Sequence, residues 1–394
     1  MLIGWFGFFS AVAVLLFLSR RNLGVAMFVG AVILGVFLCP GNLPFIVWSS
    51  LVDPSTFLLA AIVGLIPVIG GVLNETGQMD RLVRNLRVGR RFFLMVSPAL
   101  IGLLPMPGGA LLSAPLVDKA GVGLSSERKA GVNVWFRHVL YLVYPLSADL
   151  IVSTASAGIG LYQPIPYLFV FLLLSLFLGF FSLLRGDYGG INYEEAFSLR
   201  DLLLPLLVLL VAPILDFVLG GLLVLPIREV ATFIGVLASL FLAVVFGRPS
   251  LAGFRRIVVR AKPWDFAFMM AGIMVFLGVF KGSGVLDLFM SVPLSPIVLF
   301  GVAFMLGFVT GRIVTPAGIV FPIYIMKFGS ISPMVFSLIY FGIFLGYVST
   351  PVHPCVSLTL ASLKVDLKDY FRTVGLPVCV AGFVSLLAML LLTM

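Results

Sequence analysis

An arginine interrupts a long apolar stretch of the sequence, in the segment "FVTGRIVTPAGIVFP" at residues 308–322. Glycines, threonines and prolines surround Arg312, and a helix that only fills a bilayer would not carry them at this density. Burying an arginine near the membrane centre costs about 2.5–3.5 kcal/mol on insertion scales. Its planar guanidinium can hold a carboxylate or oxyanion by two parallel hydrogen bonds. We predict an anion site formed by Arg312, Thr310, Gly311 and Thr315; the alternative is a structural arginine that extends to the interface.

Asp149 lies in another interrupted apolar segment, "LSADLIVSTAS" at residues 146–156. An acid within a membrane is a functional candidate, and we predict that Asp149 exchanges H⁺ or Na⁺; a helix cap is the alternative. His353, in "STPVHPC", occupies the equivalent place later in the chain, where it is either a proton relay or a buried structural histidine. Hydroxyl groups near both breaks either coordinate a small cation or bond to freed backbone groups. The hydroxyl residues predicted to take part in ion coupling are Ser147, Ser153, Thr154, Ser349 and Thr350.

Other polar residues in apolar segments are predicted to be structural. Arg137 and His138, in "WFRHVLY", are expected nearer the inner interface, and Asp216 is a lone acid in a scaffold-type helix. The three cysteines show no metal or disulfide spacing, and two histidines leave little for a histidine-based metal site, so we predict no metal site. The sequence lacks the H-E-x-x-H, G-x-S-x-G and phosphate-loop motifs, which makes an intramembrane enzyme the least favoured class.

The composition is that of a polytopic membrane protein. Of 394 residues, 61% are hydrophobic and 10% are charged, against roughly 25% charged in soluble domains. The mean hydropathy of +1.21 excludes a soluble fold. The net charge of +9 does not indicate nucleic-acid binding, because the basic residues lie in short loops between apolar segments. The N-terminal apolar segment has no basic residues before it, which predicts a first transmembrane helix with its N-terminus outside.

Apolar segments of about 20 residues mark the predicted spans. Six elements are followed by six of the same kinds, in an all-α chain. Uninterrupted helices are predicted near 2–19, 22–38, 54–74, 164–184, 200–224, 228–247, 264–281 and 371–393. Proline- and glycine-interrupted tracts are predicted at 91–117, 131–160, 293–327 and 331–362.

The two halves of the chain also resemble each other in sequence. "VLNETGQMDRLV", which begins at Val72, matches "VFKGSGVLDLFM", which begins at Val279. "PMPGGALLSAP" falls in register with "VTPAGIVFP", and "YPLSADLIVSTAS" with "YVSTPVHPCVSLTLAS". We predict two inverted repeats, each with three helices, a re-entrant hairpin, an interrupted helix and a final helix. The first repeat is predicted to cover 1–187, an inner linker 188–199 and the second repeat 200–394.

The distribution of basic residues supports hairpins at 91–117 and 293–327. If each hairpin returns to the side it entered from, the basic loops at 75–91 and 248–263 both face the side richest in arginine and lysine. Cytoplasmic loops carry such an excess, so both termini are predicted to lie outside.

The hairpin tips are predicted to meet near the middle of the membrane. Each arm has about 13–16 residues and reaches about 20–24 Å. Inverted repeats with such broken elements are an architecture of secondary transporters. We therefore add Pro107, Gly108 and Gly109 of the first tip to the predicted substrate site.

The order of these elements resembles the ion transporter superfamily, which includes dicarboxylate and citrate symporters, gluconate permeases, arsenite efflux permeases and some sodium/proton antiporters. More narrowly, "LLPMPGGALLSAPLVD" and "NVWFRH" resemble a family of prokaryotic integral membrane proteins known as domain of unknown function 401. The tips read Pro-Met-Pro-Gly-Gly and Thr-Gly-Arg and lack the Ser-Asn-Thr frequent in the superfamily's symporters. The resemblance therefore implies a fold and a transport class but no ligand residues.

The sequence favours a secondary active transporter of a small anion, an organic acid or oxyanion, coupled to H⁺ or Na⁺ by alternating access. The closest alternative is a cation/proton antiporter with Asp149 as the exchanging carboxylate. The expected partners are the anion, the coupling ion and membrane lipid, in a prokaryotic cell membrane; no cofactor is expected except Na⁺ as a coupling ion. Analogy with the superfamily favours a homodimer.

Overall fold

A computed structural model describes residues 2–19, 21–103, 109–186, 193, 196–285, 288 and 293–393. Pro107 and Gly108 of the predicted first hairpin tip lie outside the described residues, as does most of the predicted linker 188–199. Every regular element within the described residues is helical. The prediction of an all-helical polytopic membrane protein is therefore confirmed. Eight helices in these ranges are long and apolar enough to cross a membrane.

The described residues of the first half form ten α-helices. They are α1 (Leu2–Ser19), α2 (Leu23–Leu38), α3 (Leu43–Val52), α4 (Pro54–Glu75), α5 (Gln78–Arg84), α6 (Arg90–Gly102), α7 (Gly109–Ala120), α8 (Ser126–Val139), α9 (Ala148–Ala157) and α10 (Ile165–Leu183). A short 3-10 turn, Leu140–Leu142, follows α8.

The second half contributes nine described helices. They are α11 (Leu199–Leu222), α12 (Glu229–Gly247), α13 (Leu251–Ala261), α14 (Pro263–Gly282), α15 (Pro296–Thr310), α16 (Val314–Phe328), α17 (Pro333–Ser349), α18 (Pro354–Leu363) and α19 (Leu367–Thr393).

Caps and prolines fix many of these helix boundaries. Asn22 accepts a hydrogen bond from the backbone N–H of Val25 at the start of α2, and Asp53 accepts one from Thr56 at the start of α4. Side-chain oxygens at such positions satisfy backbone donors that have no partner within the helix. A proline in the first turn fits the same position, because it lacks the donor that would go unpaired. Proline occupies that turn in α3, α4, α10, α14, α15, α17 and α18.

Helix α3 is an element that the sequence analysis left out. The search for spans of about 20 residues passed over the ten residues Leu43–Val52, which are too few to cross a bilayer. The helix packs beside α4 and α14. Its exposed apolar side chains include Phe45 and Trp48.

The broken helices form the most deeply buried part of the fold. In the apolar 18-residue stretch of Pro333–Leu363, which covers α17 and α18, 83% of the residues are buried, against 33% in Leu2–Ser19. Helices α1 and α2 pack together, as do α11 and α12, and both pairs surround α4 and α14. Large apolar side chains such as Phe6, Phe57 and Phe217 are exposed on the outside. Such a surface suits contact with lipid and not with water.

Candidate functional site

Three helix interruptions lie next to the residues predicted to bind substrate or ions. Helix α15 ends at Thr310 and α16 begins at Val314; α17 ends at Ser349 and α18 begins at Pro354. In the first half, α9 begins at Ala148 after the 3-10 turn that follows α8. Helix α16 packs against α9, while α18 packs against α7 and α8. Each broken element of one half therefore touches a broken element of the other.

Arg312 and Asp149 come from different halves of the sequence and are brought together by this packing. Asp149 lies in the first turn of α9 and not at its cap position, which Ser147 occupies. The Asp149 carboxylate and the Arg312 guanidinium are near enough for their charges to interact, at longer range than a direct ion pair, and Tyr347 lies near both. Opposite charges at a helix interruption form a site where a small ion can compete with one of the partners.

The backbone at the second tip is specified by glycine. Gly311 adopts a left-handed conformation, with φ of +60°, and donates its N–H to the carbonyl of Gly307. A Cβ atom at this position would lie 2.8 Å from the backbone nitrogen of His353. Both the backbone angle and the close approach require glycine here. The Thr310 hydroxyl donates to Leu306 and accepts from the backbone N–H of Arg312.

Thr315 offers a free hydroxyl in the first turn of α16. Its side chain is fully buried, and its Oγ1 has no hydrogen-bond partner in the part of the chain that the structure describes. Most buried polar groups in proteins are paired, so an unpaired hydroxyl beside Arg312 is a donor available to a ligand.

The other predicted coupling hydroxyls mostly bond to nearby backbone. Ser153 donates to the Asp149 carbonyl, Thr154 to Leu150 and Ser349 to Leu345. The Thr350 hydroxyl accepts from the backbone N–H of Val352. A hydroxyl oxygen that donates its hydrogen still has lone pairs. The three donating hydroxyls can therefore still accept a further hydrogen bond.

A second cluster surrounds His138 and His353. The two Nε2 atoms are 3.1 Å apart, and both imidazoles are buried. Arg137, expected nearer the inner interface, is only 2% exposed and donates from Nη1 to the Ser113 hydroxyl at 3.1 Å. Its guanidinium also lies against Gly109, where a Cβ atom would collide with it. Because the two histidines are far apart along the chain, their spacing gives no sign of this contact.

Nearly the whole chain matches a known protein family. The family model described as "Protein of unknown function (DUF401)" covers residues 4–392. The chain belongs to the DUF401 family. The narrower of the two resemblances in the sequence is thereby confirmed. No curated protein matches this DUF401 chain.

Asn133 is a site residue of the DUF401 chain that the sequence analysis missed. Its Nδ2 donates to Thr359 Oγ1 at 2.8 Å and to the Ala110 carbonyl at 3.5 Å, so it links α8 to α18 and α7. Its Oδ1 is buried and has no partner within the described ranges. The only available signal was the asparagine itself, in the apolar stretch "GVNVWF".

Asp216 belongs to a separate polar cluster in the DUF401 chain. Tyr162 and Thr232 donate hydrogen bonds to its two carboxylate oxygens at 2.7 and 2.9 Å. A cavity of about 90 Å³ beside it is also lined by Arg228 and Glu229. Both oxygens of the carboxylate are engaged, which agrees with the structural role expected for this acid.

Proposed function

We propose that this DUF401 protein is a secondary active transporter of a small anion, coupled to H⁺ or Na⁺ by alternating access. The observation that carries the proposal is the approach of Arg312 and Asp149 where the second tip meets α9. Charged residues within membranes mark substrate and ion pathways because they are costly to keep there. The unpaired Thr315 hydroxyl and the N-terminus of α16 add donors for an anion at the same place.

Reciprocal packing supports two inverted repeats. Helix α2 packs on α14 as α12 packs on α4, and α9 packs on α16 as α18 packs on α7. Helix α8 contacts α10 and α19, and the matching helix α17 contacts α19 and α10. We infer re-entrant hairpins at α6–α7 and α15–α16, one from each side, with both termini outside a prokaryotic cell membrane. A homodimer remains part of this proposal by analogy with the ion transporter superfamily.

The pair suggests how coupling works. An ionised Asp149 partly neutralises Arg312, and a protonated or Na⁺-bound Asp149 does not. The anion then becomes the partner that offsets the arginine charge in a medium of low dielectric constant. Binding of the cation therefore favours binding of the anion, which is the linkage that symport requires.

A ligand screen tests the proposal. The purified chain is heated with carboxylates, sugar acids and oxyanions, with and without Na⁺ and at two pH values. A bound anion stabilises the folded chain and therefore raises its melting temperature. At an anion concentration a hundredfold above Kd, the added free energy of unfolding is about 2.7 kcal/mol. We expect at least one anion to stabilise the wild type more with Na⁺ or at the lower pH. Stabilisation by none of these anions would contradict the proposal.

The second candidate is a cation/proton antiporter in which Asp149 is the exchanging carboxylate. The placement of this acid at the start of a half-helix favours it as well. An antiporter shows Na⁺- or K⁺-driven proton movement in proteoliposomes without any added anion. The symporter shows no such movement until its anion is supplied.

A further inference from the structure

Three metal-ligand side chains converge beside the proposed transport site. The ligand atoms of His138, His353 and Cys355 all lie within 4.8 Å of one another. His138 comes from α8, His353 occupies the cap position of α18, and Cys355 lies in the first turn of α18. The two histidines are buried and the cysteine is half-buried.

A backbone hydrogen bond orients His138. Its Nδ1 lies 2.7 Å from the Val134 carbonyl, to which only a protonated nitrogen can donate. This bond makes Nε2 the lone-pair nitrogen of a neutral His138 ring. The His353 Nε2 faces that lone pair across 3.1 Å, and the backbone of His353 lies against Gly311. In the absence of a metal, the Nε2–H tautomer of His353 can donate a hydrogen bond to His138 across this distance.

We propose that His138, His353 and Cys355 bind a d¹⁰ transition-metal ion, Cu⁺ or Zn²⁺. A metal ion between the two Nε2 atoms takes the place of the proton that otherwise joins them. Metal–nitrogen bonds of about 2.0–2.1 Å let both nitrogens reach one ion, and a thiolate at about 2.3 Å completes the set after a shift of about 1 Å. The Nδ1 bond of His138 to a backbone carbonyl is the usual support of a metal-binding histidine.

The ligand types select the ion. Imidazole and thiolate are borderline and soft donors, which favour copper and zinc over Mg²⁺, Ca²⁺ and Na⁺. Arg137 is near enough to Cys355 for its positive charge to act on the bound thiolate. Cu⁺ with one thiolate is neutral, whereas Zn²⁺ leaves one positive charge beside Arg137. The low dielectric constant of the protein interior therefore favours Cu⁺ of the two.

The proposed metal joins the halves of the protein. His138 belongs to the first half, His353 and Cys355 belong to the second, and Gly311 next to Arg312 contacts His353. Metal binding at this cluster departs from the expectation of no metal site, which rested on spacing along the chain. It does not depend on the proposed transport activity, because it is measured on the purified chain without a gradient.

Metal titration of the full chain in detergent tests the site. The chain is stripped with a chelator and titrated with Cu⁺ under anaerobic conditions, or with Zn²⁺, against a chromophoric competitor. We expect one ion per chain, with no binding of Mg²⁺. Cys355→Ser and His353→Gln should weaken binding roughly a hundredfold or more, since loss of a group that only hydrogen-bonds to a metal ligand already costs about 10–100-fold. Cys379→Ser, at an exposed cysteine in α19, is the matched control and should bind as the wild type does.

A second measurement keeps the three ligands intact. In a Cys39→Ser/Cys379→Ser variant, Cys355 is the only thiol left. A bound metal should slow its alkylation by a maleimide at least about tenfold, because the thiolate is no longer free to react. Failure of the wild type to bind either metal would overturn the proposal. Binding by Cys355→Ser and His353→Gln as tight as that of the wild type would also overturn it. Equal alkylation rates with and without metal would overturn it too.

Discussion

In the proposed transporter, Arg312 and Asp149 act as one unit. Each charge is costly within a membrane, and each lowers the cost of the other. On this proposal neither residue needs a direct ion-pair partner, because an anion or a coupling ion supplies the missing charge. The two residues therefore have different predicted phenotypes, one in anion affinity and one in coupling.

Arg312→Lys keeps the charge and loses the planar fork, so binding of a carboxylate should weaken. Losing a charge-assisted contact costs about 1.5–3 kcal/mol, or roughly ten- to hundredfold in Kd. Arg312→Ala should lose more, because it leaves the anion without a counter-charge. Anion binding by calorimetry measures both effects. Arg372→Lys, at an exposed arginine, is the control. Unchanged binding in both Arg312 variants would remove this residue from the anion site and favour the antiporter.

Asp149→Asn should abolish ion-driven accumulation while keeping part of the anion affinity. The amide is always neutral, as the protonated acid is, so it cannot cycle between charge states. Uptake by proteoliposomes with an imposed pH or Na⁺ gradient measures this effect. Asp369→Asn, at a half-exposed acid of a surface pair, should accumulate substrate as the wild type does. Uptake by Asp149→Asn at the wild-type level would exclude Asp149 from coupling.

At the scale of elements, the break between α15 and α16 depends on Gly311. Its left-handed backbone ends α15, and its missing side chain lets the start of α18 approach. The same close approach places the backbone of His353 against Gly311. The second tip and the second broken helix are thus held in register by backbone contact.

Gly311→Ala should lower the melting temperature and weaken anion binding. Left-handed backbone costs a non-glycine residue about 1–2 kcal/mol, and the Cβ atom adds a collision with His353. Gly158→Ala is the matched control, because Gly158 has nearly the same left-handed backbone, with φ of +63°, but has open space around it. Differential scanning fluorimetry of the two variants separates backbone strain from collision. Equal losses in the two would mean that the contact with His353 contributes nothing.

For the molecule as a whole, the proposed inverted repeat predicts a topology. Arg87→Cys and Arg256→Cys, each placed in a chain without its three native cysteines, should react from the same inner side. An impermeant maleimide should label neither in intact cells and both in inside-out vesicles. Lys281→Cys, predicted to lie outside, should label in intact cells. Labelling of positions 87 and 256 from opposite sides would contradict the inverted repeat.

Local patterns in the sequence were enough to predict the class of the protein and the places where its helices break. Hydropathy, proline and glycine act over a few neighbouring residues, so they predicted the membrane spans and the interruptions near Asp149, Arg312 and His353. They missed α3 and gave no reason to pair His138 with His353. Contacts between residues of opposite halves depend on how helices pack, and one-dimensional patterns do not encode that packing. The packing of helices brought Asp149 near Arg312 and placed Cys355 beside two histidines, because α9 packs on α16 and α18 packs on α8 next to the breaks in their backbones.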